Sequence, residues 1–202
     1  MIQINPENPQ KKLINKVVEI LKEGGVIAYP TDTIYGIGCD IFNKRAIEKI
    51  YRIKGRDKKK PMSFVCSDLS HISQFAKVSN YAYRIMKRLL PGPYTFVLEA
   101  SSAVPKLVST RRKTVGIRIP NSEIALSIVR DLGNPIISTS ANVSGENIIS
   151  DPFQIEDLFG RQLDAVIDGG NLSGDPSTVI DLSGVAPVVL RVGAGDTSWV
   201  ED

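Results

Sequence analysis

Two cations stand two residues apart in Lys54-Gly55-Arg56, and much later a hydroxyl and an amide stand two apart in Ser140-Ala141-Asn142. The cations follow an apolar helical pattern, and the polar pair leaves the strand-like run Pro135–Thr139. Cations together with short hydrogen-bonding side chains are what a nucleotide's phosphates require. Neither GxxxxGK[ST] nor GxGxxG is present, so side chains rather than a glycine-rich backbone would hold the phosphates. Arginine offers a flat fork of donors and lysine a mobile point charge, and together they can neutralise a triphosphate. Tyr29–Gly38 leaves a strand and turns sharply, which carries the hydroxyls of Thr31 and Thr33 to the strand's end. The competing reading is a local turn in which Asp32 and the threonines bond their own backbone. Arg118 lies within the apolar Val115-Gly116-Ile117-Arg118-Ile119, and Arg191 within Val188–Val192. Each either faces solvent or faces inward, where it would hold an anion; an inward Arg118 would suit a carboxylate.

Ser138, Ser140 and Asn142 alternate across a strand exit, and Ser177 and Thr178 follow Pro176. There is a single histidine, His71, in the helical Asp68–Ala76, read as a helix-surface residue. Scarce histidine beside Lys, Arg, Ser, Thr and Asn points to catalysis by positioning and charge stabilisation. That profile fits nucleotidyl transfer better than general acid/base hydrolysis. Cys39 and Cys66 have no CxxC spacing, so they signal neither a zinc site nor a redox motif and read as small buried residues.

The elements that must position these residues alternate along the chain. Leu13, Val17, Ile20 and Leu21 recur at helical spacing, with Gly24-Gly25 as the stop. Val26–Tyr29 is a short buried strand. Ala46, Ile47, Ile50, Tyr51 and Ile53 form the next helical face, and Met62–Cys66 reads as a strand. Ser67-Asp68 and Ser79 cap two helices, the second ending at Leu89-Leu90 before the turn Pro91-Gly92-Pro93. Strands Tyr94–Leu98 and Thr114–Ile119, a helix Ile124–Leu132 capped by Asn121 or Ser122, and strand Pro135–Thr139 follow. The remainder holds a short helix near Pro152–Leu158 and strands Ala165–Asp168, Thr178–Leu182 and Val188–Val192. The last three strands have little helix between them, so part of the sheet is expected to be antiparallel. The predicted architecture is α/β or α+β, a large mixed sheet with helices on its faces, in a single domain over 1–202.

At 202 residues, 42% hydrophobic and 23% charged, the chain can bury a substantial core. It shows no membrane span and no signal peptide, so the expected compartment is the cytoplasm. Net charge is only +3, but it is clustered. Arg52, Lys54, Arg56, Lys58, Lys59 and Lys60 face a single acid, Asp57, and Arg111-Arg112-Lys113 forms a second group. Such a run is either a solvated loop or, with cations alternating beside a candidate site, a place for anions.

Taken in order, PTDTIYGIG at 30–38, KGR at 54–56, PGPYT at 91–95, TVGIRIP at 114–120, STSANVSG at 138–145, IDGG at 167–170, STVIDL at 177–182 and LRVGAG at 190–195 resemble the YrdC-like family of L-threonylcarbamoyladenylate synthases. The resemblance covers 13–195. It implies a twisted YrdC/RibB-like α/β fold with a large mixed sheet and a basic concave pocket. It further implies an enzyme that takes L-threonine, bicarbonate and ATP, with Mg2+ carried by the triphosphate and no metal held by the protein itself. The products would be threonylcarbamoyl-AMP and pyrophosphate, the former used with tRNA-modifying partner proteins on tRNA adenosine 37. By the same resemblance Thr33, Arg118, Ser138 and Ser177 face threonine, with Arg118 on its carboxylate. Lys54, Arg56, Thr114, Ser140, Asn142 and Arg191 face ATP, and Lys54, Arg56, Ser140 and Asn142 form the catalytic set. Two features depart from that pattern. Lys60-Pro61-Met62 and Val65 stand where family members often carry Asn-Pro-Leu and then His, and Asn5–Gln10 resembles the YciO branch. The alternative expectation is therefore a YciO-like protein whose basic cleft binds RNA, tRNA or double-stranded, with little or no synthase activity.

Overall fold

The computed structural model describes residues 1–55, 62–105, 108, 113–143, 145–172 and 174–200. Eleven strands among them join in one mixed sheet. They are β1 (Ile2–Gln3), β2 (Ile27–Tyr29), β3 (Gly36–Asp40), β4 (Ser63–Val65), β5 (Ala76–Lys77), β6 (Tyr94–Ala100), β7 (Thr114–Arg118), β8 (Ile136–Ser140), β9 (Ala165–Asp168), β10 (Thr178–Asp181) and β11 (Val188–Arg191). The order across the sheet is β1-β9-β2-β3-β8-β4-β7-β6-β10-β11, with β5 beside β6. Six helices accompany them: α1 (Lys11–Lys22), α2 (Lys44–Ile53), α3 (Leu69–Phe75), α4 (Asn80–Leu89), α5 (Glu123–Leu132) and α6 (Pro152–Phe159).

Five of these helices, all but α1, start where short polar side chains take an otherwise unpaired N–H. Asn43 accepts from Ala46, Asp68 from His71, Ser79 from Ala82, Ser122 from Ala125 and Asp151 from Phe153. Helix α5 ends on Gly133 at φ 77, the left-handed conformation that glycine takes without strain. The antiparallel expectation holds for β10 and β11. Strand β9, however, lies far from them, parallel to both β1 and β2. Gly36–Asp40, which reads as loop in the sequence, is a fully paired strand between β2 and β8. Its two glycines lowered its apparent strand propensity, but both sit where neighbours crowd the backbone: a Cβ on Gly38 would lie 2.5 Å from a methyl of Ile136.

Two apolar clusters cover the sheet. One carries Phe64, Phe96 and Ile117 against α2, α3 and α4. The other packs α1 and α5 on Ile27, Tyr29, Val65, Ile136 and Ile167. Because strand side chains alternate between faces, Val65 and Ile136 share their face with Ser63 and Ser138. Helices α1 and α5 thus close this face over β1, β9, β2 and the Val65 and Ile136 ends of β4 and β8, and leave the rest of it open.

Candidate functional site

The uncovered face is a cavity of about 560 Å3, and its walls read as alternate residues of successive strands. Thr95 and Val97 come from β6; Thr114, Gly116 and Arg118 from β7; Ser63 and Val65 from β4; Ser138 and Ser140 from β8. Ser177 and Val179 lie at the start of β10, and Arg191 at the end of β11. Period-two spacing places each set on one face. Gly116, flanked by Ser63 and Thr95, keeps the cavity floor free of a side chain.

Arg118 faces inward and is 8% exposed. Its Nη2 donates to Thr33 Oγ1 at 2.7 Å and to Asp32 Oδ1. Its carbonyl accepts from Cys66 N at 2.9 Å, so the strand beneath it is held as well. The local-turn reading of the threonine segment is half right. Thr31 Oγ1 accepts the N–H groups of Thr33 and Ile34 and donates to Ile34 O, while Asp32 leaves the turn for Arg118. Facing Arg118, Ser177 Oγ lies 2.8 Å from Thr95 Oγ1, and Arg191 donates to Ser177 O at 2.7 Å. Burial, and after it the neighbouring charge of Arg118, hold the Arg191 guanidinium below its ordinary value. Two cations that repel across one cavity mark a place for anions. Ser138 accepts a hydrogen bond from the Tyr29 hydroxyl at 2.7 Å. Burial pushes that phenol up to about 12, so it remains a neutral donor.

Lys54 is placed differently from a side chain waiting for phosphate. It caps the C-terminus of α2, is 2% exposed, and directs its ammonium at the turn after β8. Nζ donates to Ser140 O at 2.6 Å, to Asn142 Oδ1 at 2.9 Å and to Asn142 O. Ser140 Oγ donates to the same Asn142 Oδ1 at 2.6 Å, and Asn142 Nδ2 donates to Glu146 O at 2.7 Å. Lys54 is therefore joined to the second polar pair noticed in the sequence: the lysine organises the serine and the asparagine. Ser140, Asn142 and Thr114 line the cavity. Arg56, Lys58, Lys59, Lys60, Arg111 and Arg112 lie outside the described residues.

His71 is corrected by the structure. It is not a surface residue but 8% exposed, edge-on to Phe75 at 5.6 Å, with Nδ1 3.1 Å from Ser67 Oγ. Helix α3 is short and its histidine falls on the core side, which the few apolar residues around it did not make legible. Cys39 and Cys66 are free and buried, and burial pushes both thiols far above their usual range. Sequence reasoning passed over Thr95, Tyr29 and Asp32 as site residues. Thr95 closed the quoted PGPYT stretch and Tyr29 stood immediately before PTDT, but their pairing depends on strand register. Among the described residues, no three His, Cys, Asp or Glu side chains converge on a point, and no helix is long and apolar enough to cross a membrane.

Comparison with known proteins places this geometry among relatives. Residues 19–193 match the Sua5–YciO–YrdC family, described as "Telomere recombination". The protein YciO of Escherichia coli, itself uncharacterized, is 45% identical over 195 residues, covering 96% of this chain and 95% of YciO. The crystal structure of E. coli YciO superposes with a TM-score of 0.94 at 43% identity, covering 98% of both chains. A threonylcarbamoyl-AMP synthase of Pyrococcus abyssi is 35% identical over 175 residues, which are 86% of this chain and 52% of that enzyme. P. abyssi Sua5, solved as a complex with L-threonine, superposes at a TM-score of 0.89 with 34% identity, covering 96% of this chain and 58% of its own.

Proposed function

The chain belongs to the Sua5–YciO–YrdC family, and from that premise we propose that it is a threonylcarbamoyl-AMP synthase. It would use L-threonine, bicarbonate and ATP and release pyrophosphate. One observation carries this reading: Arg118, held by Thr33, and Arg191 line one cavity together with Thr95 and Ser177, while Ser140 and Asn142 line it as well, held by Lys54. The amino-acid carboxylate would lie on Arg118, and Thr33, Ser138 and Ser177 would surround the rest of the molecule. Thr114, Ser140, Asn142, Arg191 and Arg56 would face ATP. Lys54 would serve the triphosphate by fixing Ser140 and Asn142. Mg2+ would enter on the triphosphate's own oxygens.

The chemistry asks no protein atom to become a nucleophile. The threonine ammonium and bicarbonate give a carbamate, one water and one proton. A carbamate oxygen then attacks the α-phosphorus and pyrophosphate leaves with the electron pair of the broken P–O bond. Bringing together several anions is the obstacle, and screening and alignment are what this site can supply. The product would serve the threonylcarbamoyl modification of tRNA adenosine 37. The test is pyrophosphate release measured with threonine or bicarbonate omitted in turn. The reading expects release only when both are present. ATP turnover indifferent to threonine would overturn it in favour of a YciO-like, RNA-binding role.

A further inference from the structure

An aspartate second in a Thr-Asp-Thr turn ordinarily spends its carboxylate on nearby backbone N–H groups. Here Thr31 already takes those groups, accepting from Thr33 N at 3.2 Å and Ile34 N at 3.3 Å. Asp32 instead reaches Arg118 across the fold, through the single contact of Oδ1 with Nη2. That contact leaves the pair half used. Oδ2 of Asp32 and Nε of Arg118 are both closed to solvent and, among the described residues, without a hydrogen-bond partner, although arginine and carboxylate usually meet through two parallel bonds. A buried acceptor and a buried donor left over in this way are costly and call for an explanation. One leftover atom belongs to an anion and the other to a cation, on the same ion pair. A ligand that satisfies both carries opposite charges a few bonds apart.

Resting on the reading of the cavity as an amino-acid site, we infer that Asp32 and Arg118 together recognise the substrate as a zwitterion. Arg118 takes the α-carboxylate and Asp32 the α-ammonium, the contact between them opening to admit both. Arg118 lines the cavity, as does Thr31, the neighbour of Asp32. The hydrogen bond from Nη2 to Thr33 Oγ1 keeps the guanidinium placed while the pair opens. Charge balance is preserved, since a neutral pair receives a neutral zwitterion and no charge is buried without a partner. A carboxylate of the same shape but lacking the amine would set a second anion beside Asp32 with nothing on Oδ2. The site therefore selects for the amine that the proposed reaction carbamoylates.

The test is calorimetric titration of the full chain with L-threonine and with 3-hydroxybutyrate of matching configuration, which is threonine without its amine. Wild type is expected to prefer threonine by about tenfold or more, the difference one charged hydrogen bond makes. In Asp32→Asn, threonine should weaken about tenfold while 3-hydroxybutyrate binds at least as well as before, so the preference collapses. Asp32→Glu, which keeps the charge, should retain a preference for threonine. Equal wild-type affinity for the two ligands overturns the inference, and this comparison stands even if Asp32→Asn does not fold. A proportional loss of both ligands in Asp32→Asn also overturns it, because that is what a merely structural aspartate would give. Binding of neither ligand to wild type would bring down the amino-acid reading and the inference with it.

Discussion

Lys54 shows how a residue can have the right chemistry for one task and be placed for another. Its ammonium is buried among three oxygens of the turn it holds, and each of those bonds is charge-assisted. Replacing it by methionine keeps the length of the side chain but leaves two backbone carbonyls and an amide oxygen short of a donor. Lys54→Met should therefore destabilise the protein by about 2–3 kcal/mol. Arg191→Met, at the open edge of the cavity, should cost less than about 1 kcal/mol. Urea denaturation of both variants checks this. A Lys54→Met midpoint equal to that of wild type would mean the ammonium does not hold the turn. The cation-plus-hydroxyl pattern was legible in the sequence because residue types carry it. The direction of the ammonium was not, because it depends on where the C-terminus of α2 meets the end of β8.

At the scale of an element, α3 is the case where local pattern misled. Asp68 caps it, accepting from His71 N at 2.8 Å, and the histidine then turns toward Phe75. Burial lowers the imidazole below its ordinary value of 6.5, opposed by the charge of Asp68. The unfolded chain thus takes up the proton more readily than the folded one. Stability from this group is present above about pH 6.5 and is lost as pH falls through the lower folded value. Asp68 is also lowered, first by the hydrogen bond from His71 N, but its loss comes further into acid, below the ordinary carboxylate value. Denaturation midpoints followed from about pH 8 to pH 5 should fall for wild type, and the slope below pH 6.5 should flatten in His71→Phe. Identical profiles for the two proteins would show that the imidazole does not titrate differently on folding.

At the scale of the molecule, the two cysteines report whether the sheet opens in parts or as a whole. Cys39 on β3 and Cys66 after β4 are both 0% exposed, in one apolar cluster with Phe64 and Ile137. Native protein should resist a thiol-labelling reagent, and both thiols should become reactive together as denaturant unfolds the chain. Rapid labelling of either one in native buffer would show that this cluster opens locally.

Element types follow from periodicity and capping, which are properties of neighbouring residues. The sequence by itself therefore determined the six α-helices, the capping segments Ser67-Asp68, Ser79 and Asn121-Ser122, and most of the strands. It also determined the chemical character of the site, because residue types carry it, and alternate residues of a strand such as Ser138 and Ser140 share a face. What the tertiary structure alone decided is which strands lie side by side. That order brings Thr95 of β6 to Ser177 beside β10, and Tyr29 of β2 to Ser138 of β8. It also sends Asp32 out of its own turn to Arg118. Such pairs depend on register between strands distant in the chain, and no local pattern of residues specifies register.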